Sequence, residues 1–202
     1  MGLLDWLTFR APDPEVIRRR EAHYVRHFGE PAGVLHPTAR RNPHVDVYPF
    51  RPTAERPFWT LVTGGMSDEP QPVPPEIQAP RRIELVLYLP EQDYWGPALL
   101  QMLGGYGRAN RTVLGPWHTL PLGGRLREGT ELTALLLAPN DLEPPSFGEH
   151  SIGGDRVTFL TVVPITEREL TSAELAGSEQ LYARLAERQL VRPTNIYRAS
   201  VV

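Results

Sequence analysis

Two histidines and one aspartate are the side chains in this sequence best suited to holding a metal ion. His44 and Asp46 are two positions apart in a segment that alternates polar and apolar residues, so both would lie on the same face of a strand. His118, in a distant loop, would complete a set of two histidines and one carboxylate, which binds iron or zinc. A metal-dependent enzyme using these three residues is one interpretation. The other is that Asp46 forms an exposed ion pair on the wet face of the strand.

A second pair of histidines is spaced for one face of a helix. His23 and His27 are four residues apart, so both could reach the same ion. The metalloprotease pattern requires a glutamate directly after the first histidine, and Tyr24 stands there instead. With Arg20 and Arg26 close by, the sequence favours a solvated basic face over a metal site.

Motifs for nucleophilic or phosphate chemistry are missing. The chain has no cysteine, and all 21 of its basic residues are arginines, which excludes thiol and lysine catalysis. Ser67 is not in a G-x-S-x-G elbow, and Ser151 has only an adjacent His150. The four glycine pairs fit neither the G-x-G-x-x-G nor the P-loop pattern and are better explained as turns. The sequence therefore predicts a protein that is not an enzyme and needs no cofactor.

The helical signals lie at both ends of the chain and once in the middle. Asp13 as N-cap, Pro14 at the first position and Gly29 as the stop predict a first helix. A second helix would open at Gly96 and fray at the glycines of 104–107. The remaining signals are two overlapping capping boxes and a leucine-spaced segment: Thr166-x-x-Glu169, Thr171-x-x-Glu174 and 181–190.

Between these helices lie the strand signals. Apolar or alternating segments predict strands over 44–48, 56–63, 83–89, 132–138 and 157–163, with a further edge strand over 195–202. Five prolines in 69–80 predict an irregular surface loop. Clustered strands with terminal helices favour an α+β fold, with a mostly antiparallel central sheet flanked by helices in a single domain over 1–202.

Composition and charge argue against nucleic acids and membranes as partners. A net charge of −3 argues against nucleic-acid binding, which requires a basic face. No apolar run approaches the roughly 20 residues of a membrane span, and the first five residues lack a basic start, so we expect a cytoplasmic protein. Trp59 is expected in the core. Trp117, between Pro116 and His118 in a loop, is expected to be an exposed anchor for a protein partner.

An ordered set of segments over 45–170 resembles the suppressor-of-fused domain family. The segments are Val45–Tyr48, Trp59–Asp68, Ile83–Leu87, Pro97–Met102, Thr112–His118, Leu135–Leu137, Val157–Val162 and Thr166–Glu169. The resemblance implies a non-enzymatic module that binds another protein, in the manner of bacterial single-domain members that include immunity proteins against toxins. Animal members grip an extended peptide with the help of a second domain, for which this chain has no room. The predicted partner-binding residues are Asp46, Asp68, Trp117 and His118, and a scaffold role without a dedicated ligand is a further alternative.

Overall fold

The computed structural model describes residues 13–38 and 44–202. Helices are α1 (Pro14–Phe28), α2 (Trp95–Ala109), α3 (Glu167–Ala176) and α4 (Ser178–Glu187), with a 3-10 turn at Pro145–Glu149. Strands are β1 (Asp46–Phe50), β2 (Trp59–Gly64), β3 (Arg82–Leu89), β4 (Thr119–Pro121), β5 (Leu132–Pro139), β6 (Ser151–Ile152) and β7 (Asp155–Thr166). The first five residues, which the sequence analysis found to lack a basic start, lie outside the described residues.

The strands form one seven-stranded sheet in the order β1-β2-β3-β7-β5-β4, with β6 paired to β7 as a hairpin. The β3–β7 pair is parallel, whereas the other pairs are antiparallel. The predicted α+β class with a mostly antiparallel sheet is therefore confirmed. Because β1 and β4 are at opposite ends of this order, residues beside them are separated by five strand spacings, about 24 Å.

Helices cover both faces of the sheet, because successive side chains of each strand point to opposite sides. On one face, α2 packs through Leu100 and Leu103 onto odd-numbered residues of β3 such as Leu85. On the other face, α1 packs over the β1–β3 half and α3 and α4 pack over β5 and β7. Such two-sided cover explains the nearly continuous apolar sequence of the central strands. Among the described residues, no helix combines the length and apolar character that a bilayer crossing requires.

Two helix starts agree with the sequence. The Asp13 side chain accepts a hydrogen bond from the Glu15 backbone N–H at 2.9 Å, and Gly29 ends α1 with a positive φ of 79°. At α3, the Thr166 hydroxyl caps the Glu169 backbone while the Glu169 carboxylate accepts from the Thr166 N–H, which is a complete capping box. The second predicted box does not start a helix, since Thr171 lies inside α3.

Helix α2 does not fray at its glycines, contrary to the prediction, and continues to Ala109. Gly104 explains why: a Cβ at this position would lie 2.7 Å from Cγ2 of Val45, so only glycine lets the helix pack this closely on the sheet. Tertiary packing therefore overrides the low helix propensity of the segment.

The predicted edge strand over 195–202 is also wrong, because this segment has no regular structure. It is held instead by a buried ion pair. The guanidinium of Arg198 donates to both carboxylate oxygens of Glu169 at 2.6 and 2.7 Å, and the Val201 N–H donates to the same carboxylate at 2.9 Å. These contacts, together with the capping-box bond, hold the pKa of Glu169 below its usual value against the opposing effect of burial.

Candidate functional site

The sheet ends at β4, whose outer edge is the first feature of a candidate binding surface. The Leu137 N–H donates to the His118 carbonyl and the Leu122 N–H donates to the Thr133 carbonyl, both at 2.9 Å. Since alternate residues of a strand direct their backbone groups to opposite sides, Thr119 must direct its N–H and C=O away from β5. Within 13–38 and 44–202, the strand that pairs with β4 is β5 alone. An end strand of this kind can pair with an incoming segment of another chain.

Trp117 and His118 stand at the start of this edge. Trp117 is half-buried, with its ring 5.6 Å from that of Tyr182 in a T-shaped contact, and its φ of 68° is unusual for a residue other than glycine. Its backbone N–H is held by the Leu137 carbonyl at 2.6 Å. His118 is exposed beside it. Trp117 was expected to be exposed, but it is partly buried and held in place. The exposed group at this position is the imidazole of His118.

Asp46 lies at the other end of the sheet, on β1, so the predicted site of His44, Asp46 and His118 is not formed. His44 and Asp46 do lie on the wetter face, as the alternation predicts, while Val45 and Val47 are buried. In the described part of the chain, the group with metal-ligand spacing at this position is instead His36, His44 and Asp46. His36 was not among the residues predicted from the sequence.

Asp68 belongs to a polar network beneath the surface, centred on Glu84, whose side chain is fully buried. One Glu84 carboxylate oxygen accepts from the backbone N–H groups of Gly65 and Ser67, both at 3.0 Å, and from the Ser67 hydroxyl at 2.6 Å. The other accepts from the Thr63 hydroxyl at 2.6 Å. This carboxylate therefore fixes the turn that follows β2, and accounts for the Gly-Gly-Met-Ser-Asp segment of the family resemblance.

A buried arginine balances this charge. Arg20 on α1 is 1% exposed and pairs with the Asp68 carboxylate. The Glu84 and Asp68 carboxylates raise the pKa of Arg20 against the effect of burial, which alone would lower it. Burial raises the pKa of the Asp68 carboxyl, and Arg20 opposes that rise. The Asp68 carboxylate thus has a partner inside the protein, and a contact with another molecule stays a prediction.

His23 of α1 is buried and His27 is half-buried, so the two do not lie on a solvated face, contrary to the prediction. His23 is 6% exposed, and its ring stacks on those of His150 at 4.9 Å and Phe147 at 5.4 Å. Its Nε2 donates to the Phe147 carbonyl at 2.8 Å. Burial lowers the pKa of His23 to about 4 and also lowers those of His27 and His150. The covering residues come from the turn 145–149, which is distant in sequence, so the helix pattern alone could not indicate this burial.

The proline-rich loop covers the end of α2, as a surface loop without regular structure. Gln71 fixes it: its side-chain nitrogen donates to the carbonyls of Pro80 and Leu114, and its oxygen accepts from the Leu114 N–H at 2.8 Å. Between the loop and α2 lies a groove of about 490 Å³, with Met66 and Leu103 among its apolar lining residues. Its lining also includes the charged side chains of Glu69, Arg108 and Arg111.

Comparison with known proteins gives a family from sequence and a shared fold from structure. The family model for suppressor of fused protein (SUFU) matches residues 41–199. None of the curated proteins matches the chain in sequence. Among solved structures, a SUFU homologue from Neisseria gonorrhoeae superposes with a TM-score of 0.69 at 19% identity, covering 93% of this chain and 94% of that one.

Two further structures share the fold. A chain of the Sufu–Fu complex gives a TM-score of 0.68 at 18% identity, covering 95% of this chain and 93% of that chain. Drosophila Suppressor of Fused gives 0.71 at 17% identity, and this chain covers 54% of its length. With most of its length matched by one family model and the same fold in these structures, the chain belongs to the suppressor of fused (SUFU) family.

Proposed function

We propose that this protein is a non-enzymatic module that binds a segment of another protein along the outer edge of β4. The observation that carries the proposal is the end strand itself, with the Thr119 N–H and C=O directed away from the sheet. A partner strand would gain main-chain hydrogen bonds there. One of the structures with this fold is that of a Sufu–Fu complex, which supports a protein as the partner.

Trp117 and His118 give this edge its side-chain recognition. The tight backbone bond of Trp117 and its ring contact with Tyr182 hold the indole in place before binding, so little conformational entropy is lost on association. Tryptophan is enriched among the residues that dominate binding energy. The exposed His118 imidazole adds a hydrogen-bonding group beside it. Asp46 and Asp68 are not part of this surface, and their contacts with a partner stay separate predictions.

The partner that we infer is a toxin domain, neutralised in the cytoplasm, as the resemblance to bacterial family members implies. The missing cysteines suit a reducing compartment. Coexpression with the product of a neighbouring toxin gene tests this identity. We expect the protein to restore the growth of cells that produce the toxin. Continued toxicity, together with no binding between the purified chains, would count against the toxin as partner.

The binding edge has its own test, with any purified partner. In Thr119→Pro the outward N–H is removed while the bonds between β4 and β5 remain, since proline is tolerated on edge strands. We expect at least a tenfold loss of affinity in calorimetry for this variant, and a similar loss for His118→Ala. His36→Ala, an exposed histidine at the other end of the sheet, is the matched control and should bind normally. Unchanged affinity of Thr119→Pro would place the partner elsewhere.

A further inference from the structure

The backbone brings His36 and Asp46 together at the outer edge of β1. Leu35 and Val47 exchange two hydrogen bonds, Leu35 N–H to Val47 C=O at 2.9 Å and the reverse at 3.1 Å. In an antiparallel pair the next two residues are then directly opposite without hydrogen bonds, the arrangement in which side chains approach most closely. Those residues are His36 and Asp46. The register of the bridge therefore fixes two ligand groups side by side.

His44 joins them on the same face, because it precedes Asp46 by two residues in extended chain. His36 Nδ1 lies 2.7 Å and His44 Nε2 lies 2.9 Å from the same Asp46 oxygen, Oδ1. All three ligand atoms lie within 4.8 Å of one another. In a tetrahedral zinc site with bonds near 2.0 Å, ligand atoms are separated by about 3.3 Å. Small rotations of the side chains would open the group to that size, and His36, 65% exposed, is free to make them.

We propose that His36, His44 and Asp46 form a zinc-binding site. Two imidazoles and one carboxylate are a ligand set typical of zinc, whereas magnesium and calcium require mostly oxygen ligands. Asp46, whose side chain is only 14% exposed, provides the fixed ligand on the strand. The fourth position would take a water molecule. Bound zinc would fasten the segment around Leu35 to the edge of the sheet.

Zinc titration of the full chain, first stripped with a chelator, tests the site. Calorimetry at neutral pH is expected to give one zinc ion per chain with a Kd tighter than about 10 μM, together with a zinc-dependent rise in Tm. His36→Ala should weaken binding at least tenfold and abolish the rise in Tm. Since His36 is exposed, circular dichroism should show that this variant folds.

His118→Ala is the matched control, because this exposed histidine lies at the opposite end of the sheet. It should bind zinc with the affinity of the unmodified chain. Zinc binding that survives His36→Ala, or that His118→Ala removes, would overturn the assignment. So would a chain that binds no zinc below millimolar concentrations.

Discussion

Acidification between pH 7 and 4 should destabilise this protein through His23 in particular. The ring is buried and neutral, facing His27 and Arg26 on its own helix and His150 and the Phe147 carbonyl from the opposing turn. Protonation would place a charge in this site beside other positive groups, without a carboxylate among these neighbours. Burial is the main reason that the pKa of His23 falls from 6.5 to about 4.

The sign and size of the effect follow from this pKa. A folded-state pKa below the unfolded one means that the stabilising contribution is complete above pH 6.5 and is lost as the pH falls towards 4. Linkage gives a loss for His23 of about 2 kcal/mol at pH 5 and about 3 kcal/mol at pH 4. The lowered pKa values of His27 and His150 act in the same direction.

Urea titrations of the chelator-treated protein at pH 7, 5 and 4 measure this loss as the free energy of unfolding. In His23→Gln the side-chain nitrogen can still donate to the Phe147 carbonyl but cannot titrate. The loss of unfolding free energy between pH 7 and pH 5 should therefore be about 2 kcal/mol smaller in this variant than in the unmodified protein. Leu175→Gln, at an exposed position without a titratable group, should keep the pH dependence of the unmodified protein. Identical pH profiles for His23→Gln and the unmodified chain would refute the reasoning.

Two further perturbations test the packing. Gly104→Ala should lower the free energy of unfolding by about 1–3 kcal/mol, because the Val45 side chain lies 2.7 Å from the position of the new Cβ. Gly105→Ala, where no described atom lies within 4 Å, should instead raise the free energy of unfolding by up to about 1 kcal/mol. Thermal melts compare the two variants, and equal effects would contradict the role given to Gly104. Arg198→Ala should lower the free energy of unfolding by about 3–5 kcal/mol, because the fully buried Glu169 carboxylate would lose its cation. Urea titrations measure this change, and a loss below about 1 kcal/mol would disprove the stabilising role of the pair.

Local signals in the sequence predicted the elements whose causes are local. The Asp13 cap and the Thr166–Glu169 capping box were correct because each depends on residues within one helical turn. Likewise, the continuous apolar segments gave β3, β5 and β7, since strands covered on both faces need no polar alternation.

The errors concern features set by distant contacts. Strand β4 has three residues ending in Pro121, too few to show a pattern, and it exists through its pairing with β5. His36 enters the cluster at β1 through the register of a bridge that no spacing in the sequence reveals. The buried surroundings of His23 likewise depend on a turn more than 100 residues later, since its hydrogen-bond partner is Phe147.

Amide hydrogen exchange of Thr119 tests the central proposal most directly. In the free protein its N–H points away from β5, and pairing with a partner strand would protect it. We therefore predict slower exchange at Thr119, followed by NMR, when a saturating partner is added. Slowed exchange elsewhere on the surface with Thr119 unchanged would contradict binding at the edge of β4.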